Sequence, residues 1–195
     1  MFDFDKIFSD KDKSIAIVAN GGSIIDNKFG KSIDSHDFVV RFNNFNISDE
    51  YKEHAGKKVD IWSNTFHLDI IDRSIDIPIL CPVPINCYPY NQIYGIDHDL
   101  MNKNLSKTKF IPVEIFEELC GLMPIHPVKR RKDPSSGLSI IFWLKKIGFK
   151  ISQENLFGFD FFFHQNHHYF SKSKGPLVNH QGNVEKDILK QILIK

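Results

Sequence analysis

The apolar, β-branched run Ser14–Ala19 breaks off at Asn20-Gly21-Gly22-Ser23, the pattern of a buried strand that opens into a loop. Phe38–Phe42, after the polar segment Lys31–Asp37, predicts a second strand, Val59–Ser63 a third and Leu156–Asp160 a late one. Between them, Ile77–Asn104 carries Pro82, Pro84, Pro89 and a tyrosine cluster, so beyond Ile79-Leu80-Cys81 it reads as loop. Helices are predicted at Pro112–Leu122, where Val113, Phe116 and Leu119 share a face, and along the apolar run Leu138–Ile147, led by Ser135 and Ser136 and stopped at Gly148. Asn183–Ile194 has apolar residues at 184, 188, 189, 192 and 193, a helical stripe. No repeat or linker divides residues 1–195, which read as a single domain. Strands alternating with helices predict an α/β fold: a mostly parallel sheet with helices on both faces and a ligand at the C-terminal strand edge.

Composition narrows the partners. The 195 residues are 42% hydrophobic and 25% charged, ordinary for a globular domain, and 25 Lys+Arg against 24 Asp+Glu leave a net charge of +1. There is no global field to draw a nucleic-acid backbone, so none is expected as partner and any anion site is local. Met1–Lys13 lacks the basic and apolar regions of an export signal, and apolar stretches such as Leu138–Leu144 fall far short of the roughly 20 residues that span a bilayer. Cys81, Cys87 and Cys120 lack zinc-ligand spacing and read as buried small hydrophobes in a reducing cytoplasm.

Candidate chemistry is concentrated at the two ends of the chain. Asn20-Gly21-Gly22-Ser23 can offer backbone N–H groups and small side chains to a phosphate or ribose, or can be a plain turn; it completes neither a dinucleotide fingerprint nor a P-loop. Arg41, Asn43 and Asn44 end the second strand with groups that could bind a base, sugar or phosphate, or simply meet solvent. Pro134-Ser135-Ser136-Gly137 before a helix is a good anion cradle, with an N-cap serine as the plainer reading. His164, His167, His168 and Tyr169 cluster, and His180 with Glu185 opens the last helix; acid–base work or phosphate contact fits them better than metal ligation. Asp3-Phe4-Asp5 and Asp97-His98-Asp99 match the Asp-x-Asp pattern of metal-dependent sugar transferases, but neither follows a convincing strand. Lys129–Lys132 is a solvated loop or an attraction for a donor, an anionic glycan or a membrane surface, and Phe161–Phe163 a core or lid segment.

In order along the chain, these segments resemble the sialyltransferase motifs of glycosyltransferase family 29. Ile15–Asn44 is similar to the large motif, with its Asn-Gly loop, Ile33-Asp34-Ser35-His36 and the Arg41-x-Asn43 strand end. Pro134–Gly137 with Leu156–Phe159 is similar to the small motif, with Ser136 where Thr is common. His168-Tyr169-Phe170 resembles the third motif and His180–Glu185 the His-x-x-x-x-Glu motif, whereas residues 51–132 carry no match. Animal members pair a cysteine of the large motif with one of the small; none of the three cysteines lies there, and no anchor or stem is seen. A compact bacterial-type, cytoplasmic form, peripheral at most to the inner face of a membrane, is therefore expected.

The resemblance implies a Rossmann-like sheet and an inverting transferase that moves sialic acid, or a related keto sugar acid, from a CMP-sugar to a glycan hydroxyl, with no required metal and no cofactor beyond that co-substrate. A polysaccharide or lipooligosaccharide is a candidate acceptor. It makes His180 the base, and His168 with Tyr169 and the Ser135, Ser136 and Gly137 backbone the donors to the leaving phosphate. Asn20, Gly21, Ser23 and Asn43 would hold the nucleotide, and Arg41 and Glu185 would support the site. Three alternatives stay open: a CMP-Kdo transferase, a catalytically silent nucleotide- or glycan-binding domain, and a metal-dependent enzyme using Asp97, Asp99 or the histidine cluster.

Overall fold

The computed structural model describes residues 4–86, 95–127, 129–171 and 180–194. Its centre is a six-stranded sheet of β1 (Ile15–Val18), β2 (Phe38–Phe42), β3 (Ile61–Ser63), β4 (Ile79–Cys81), β5 (Thr108–Phe110) and β6 (Leu156–Phe157). All neighbouring pairs are parallel, in the order β5-β4-β3-β2-β1-β6. The chain steps outward from β1 to β5 and then returns to add β6 on the other side of β1. That reversal opens a crevice at the C-terminal ends of β1 and β6, where open parallel sheets bind ligands.

Alternation along the strands sorts side chains to two packed faces. Ile15, Ile17, Val40, Phe42, Ile61 and Leu80 meet α5 (Val113–Leu122), α6 (Ser136–Lys146) and α7 (Gly182–Ile194). On the opposite face Ala16, Val18 and Val39 pack with Ile33 of α2 (Gly30–Asp34) and Ala55 of α3 (Lys52–Ala55), and Trp62, Ile79 and Cys81 pack with Leu100 of α4 (His98–Asn104). A further short helix, α1 (Phe4–Ile7), sets Phe4 and Ile7 against the first face. Strands buried on both faces read as continuous apolar runs, which is why β1 and β2 are visible in the sequence.

Helix α6 is the rigid wall of the crevice. Ser135 Oγ accepts the Leu138 N–H at 3.3 Å as N-cap, and Leu138, Ile140, Ile141, Trp143 and Leu144 are all buried. At about 1.5–3 kcal/mol for each large apolar side chain, this burial fixes the helix, and with it the direction of its first turn.

Several expectations shift. The late strand ends at Phe157, not Asp160, because Gly158 turns left-handed (φ +70°) and lies so close to β1 that a Cβ would stand 2.6 Å from the Ala19 carbonyl oxygen. The third strand is shorter than Val59–Ser63, starting at Ile61. The proline-rich middle contains α4 beyond its loops. Asp97 caps that helix, its carboxylate accepting the Leu100 N–H at 2.8 Å, which is the structural use of the Asp97-His98-Asp99 sequence. Cys81 is buried in β4 and Cys120 half-buried in α5, while Cys87 and Asp3 lie outside the described residues. No helix among the described residues is long and apolar enough to cross a membrane.

Candidate active site

Three strand ends form the floor of the crevice. Asn20 follows β1 and donates from Nδ2 to the carbonyls of Phe42 (3.0 Å) and Asn44 (3.3 Å), tying the β1 loop to the end of β2, while its Oδ1 is buried with no partner. Asn43 follows β2 in a left-handed conformation (φ +43°), tolerated best by Gly, Asn and Asp. Its Oδ1 accepts from the Thr65 N–H and hydroxyl at 3.2 and 3.3 Å, and its carbonyl from Trp62 Nε1 at 2.9 Å. After β6 the Asp160 carboxylate takes the Ser23 N–H at 3.2 Å and the Phe162 N–H at 3.0 Å, joining the β1 loop to the turn at 160–163.

The start of α6 and the start of α7 close the crevice from above. Glu185, 2% exposed, accepts the Ser135 N–H at 3.2 Å, and its Oε1 stands 3.7 Å from Nδ1 of His180. Nδ1 is buried and without a hydrogen bond, so Nε2 is the imidazole nitrogen left to meet a substrate. The His180 ring stacks on Phe162, centroids 4.6 Å apart and planes 8° from parallel. With Ser135 engaged by Glu185, the N–H groups of Ser136 and Gly137 remain in the first turn of α6, where no intrahelical partner exists and the helix dipole is positive.

Two cavities meet here. The smaller, 160 Å³, is lined by Asn20, Gly21, Asn43, Ser135–Gly137, Asp160–Phe162, His167, His168, His180 and Glu185. The larger, 580 Å³, is bounded by His67, Asp69, Lys129, Arg131 and Asp133. Asn20, Asn43, Ser136, His168 and His180 line both. His168 stands at this junction with its pKa lowered, chiefly by desolvation and then by the neighbouring His167, against Asp160 and Asp69, which favours the neutral imidazole. His67 is lowered too, by burial foremost, with Lys129 and Arg131 adding to the effect against Asp69.

The structure brings together most of the candidate residues but sets Tyr169, Arg41, Ser23 and His164 elsewhere. Tyr169 is not at the ligand face: it is 4% exposed in the core, accepts the Asn46 N–H at 2.8 Å and donates to the Asn46 carbonyl, so its hydroxyl is committed. Arg41 points away from the crevice, because alternation along β2 puts it on the opposite face from Phe42. Its buried guanidinium donates to Ala55 O and to Lys58 O at 2.8 Å, tying down the end of α3, and burial pushes its pKa down. Ser23 offers Asp160 its backbone N–H and lines neither cavity. His164 also lies outside both, 3.5 Å from Asp26.

Sequence reasoning missed Asp160 and Phe162. The signal for Asp160 was present, a carboxylate just after a strand on the ligand edge; Phe162 gave none, since its placement depends on the turn. Among the described residues no three His, Cys, Asp or Glu side chains are grouped to hold a metal ion. The arrangement can therefore offer an anion a helix N-terminus and a neutral imidazole, and a hydroxyl a histidine backed by a buried carboxylate.

Comparison with known proteins agrees with this architecture. Residues 3–67 match the family model of Glycosyltransferase family 29 (sialyltransferase). The chain is 24% identical to the beta-1,6-galactosyltransferase GALT29A of Arabidopsis thaliana over 92% of its own length, and spans about half (50%) of that relative. It has the fold of a mammalian sialyltransferase solved in complex with Gal-beta-1-3GalNAc-ortho-nitrophenol: TM-score 0.56, 21% identity, 92% of this chain and 66% of the other. A second mammalian sialyltransferase structure matches with a TM-score of 0.53 at 19% identity, covering 92% of this chain and 66% of that one.

Proposed function

We propose that this chain, whose residues 3–67 match the glycosyltransferase family 29 model, is an inverting transferase that moves a sialic acid, or a related keto sugar acid, from a CMP-sugar to a glycan hydroxyl. The observation that carries the proposal is the position of His180: it lines both cavities, has Glu185 behind one ring nitrogen and leaves the other for substrate. The smaller cavity takes the nucleotide end of the donor and the larger one the acceptor.

In this reading the acceptor oxygen attacks the anomeric carbon as the glycosidic bond to phosphate breaks. The hydroxyl proton passes to His180 Nε2, which suits an imidazole working near neutrality. The imidazolium then lies beside the Glu185 carboxylate, whose charge favours it. Negative charge gathers on the departing CMP phosphate, where the Ser136 and Gly137 N–H groups and a neutral His168 N–H supply hydrogen bonds. Asn20 Oδ1, buried without a partner, is an acceptor for an N–H or O–H of the nucleotide. Nothing in these steps calls for a metal.

One observation favours a different sugar: the relative over 92% of this chain is named a galactosyltransferase. Under that reading the same base and cradle would act on a nucleotide-linked galactose. A panel of CMP-sialic acid, CMP-Kdo and nucleotide-linked galactose, with mixed glycan acceptors and EDTA present, separates the readings by the mass added to product. CMP-dependent transfer in EDTA is expected. Transfer of galactose alone would replace the donor assignment, loss of turnover in EDTA would replace metal independence, and nucleotide binding without transfer would indicate a silent binding domain.

A further inference from the structure

The turn at 160–163 is built in an unfavourable way. Phe161 (φ +52°) and Phe162 (φ +68°) are consecutive left-handed residues that are not glycine, a conformation that strains the backbone of a residue with a Cβ. The Asp160 side chain takes the Phe162 N–H at 3.0 Å, and the Asp160 carbonyl takes the Phe163 N–H at 3.0 Å. The turn also abuts the first residue of α7: a Cβ on Gly182 would lie 2.2 Å from the Phe161 carbonyl oxygen, so only glycine fits. Together these contacts carry the Phe162 ring onto the His180 imidazole at 4.6 Å and 8°.

We propose that Phe162 is a positioning residue for His180, clamping the plane of the imidazole and so aiming Nε2 at the junction of the two cavities. The role rests on the reading of His180 as the base. One face of the ring is held by Phe162, and the Nδ1 edge stands 3.7 Å from Glu185, which the Ser135 N–H holds in turn. Few motions are left to the imidazole, and a reacting group displaced by about 1 Å loses on the order of 100-fold in rate. The π face also favours the positive charge that His180 gains on taking a proton. Glu185 from α7, Asp160 from the turn, and His167 and His168 from the following loop line the same cleft and act on that charge as well.

The experiment compares Phe162→Leu, Phe162→Tyr and His180→Ala in the intact chain, with CMP-sialic acid or whichever sugar nucleotide the panel identifies. Imidazole proton resonances of His180 are followed by NMR, assigned by their loss in His180→Ala. Phe162→Leu should lower kcat by about 10-fold with donor KM within twofold, and should move the His180 resonances as the ring current disappears. Phe162→Tyr, which keeps the aromatic face, should restore both. Unmoved resonances, a wild-type kcat in Phe162→Leu, or a Phe162→Tyr as impaired as Phe162→Leu would overturn the clamp. Unimpaired turnover by His180→Ala would overturn the base assignment and with it this role. An inactive His180→Ala beside a fully active Phe162→Leu would overturn the clamp alone.

Discussion

The two cavities that share His180 are built from different materials. The smaller is walled by the ends of β1, β2 and β6 and the first turn of α6, so backbone N–H groups and amides held by strand pairing and helix packing stand in it beside the side chains of Asp160, His168, His180 and Glu185. The larger is walled by loop side chains, among them His67, Asp69, Lys129, Arg131 and Asp133, with Asp133 paired to both Lys129 and Arg131. A cleft fixed by the sheet keeps one ligand chemistry while the loops around it change, whereas a wall of charged side chains can be re-tuned residue by residue. On the proposed assignment, nucleotide recognition belongs to the fold and acceptor choice to the loops.

Substitutions can break that division, beginning at the shared group. His180→Ala should lower turnover by about 10²–10⁴-fold while CMP affinity, read by calorimetry, stays within a few-fold. Glu185→Gln keeps an oxygen for the Ser135 N–H but loses the charge, so turnover should fall by about 10-fold with the melting temperature nearly unchanged. Glu185→Ala should also lose about 1–3 kcal/mol of stability in chemical denaturation, because the Ser135 N–H loses its partner. If Glu185→Gln retained full turnover, the carboxylate would be only a brace for α6.

On the smaller cavity, Asn43→Ala should weaken CMP binding several-fold. The left-handed backbone adds strain for alanine, so Asn43→Gly is the control that separates strain from the lost amide. On the larger cavity, Arg131→Gln should change acceptor KM by a few-fold and leave donor KM alone; a change confined to donor KM would reverse the assignment of the two cavities. The smallest effect concerns pH. His67 and His168 have folded-state pKa values below the ordinary imidazole value of about 6.5, so the unfolded chain binds more protons just below that pH. Stability should therefore be level above about 6.5 and fall as the pH drops below it, and His168→Gln should reduce the slope of melting temperature between pH 6.5 and 5.

The same contrast explains what the sequence disclosed. Strands buried on both faces announce themselves, so β1, β2 and β4 were legible, as were the serine cap of α6 and the apolar stripe of α7. Strand β5 was not, because Thr108-Lys109-Phe110 is a half-buried edge strand with a lysine at its centre. Helix α4 was hidden by the prolines before it, although Asp97 was available as its cap. In the site, Asn20, Asn43, Ser136 and His180 follow from position at strand ends and helix starts, and His168 from the histidine cluster in the loop after β6. Arg41 and Tyr169 were misplaced because a polar group beside a motif looks like a ligand contact until the strand's alternation shows which face it takes. Phe162 is placed by two left-handed residues and a glycine at 182, a conformation that local sequence preference opposes.

The most direct test is sugar transfer from CMP-sialic acid by the purified protein in EDTA, with a mixed glycan acceptor, followed by mass spectrometry and run beside His180→Ala. The account predicts CMP release matched by a sialylated product, with both lost in the variant. CMP release that is unchanged in His180→Ala, or no transfer from any CMP-linked sugar, would contradict it.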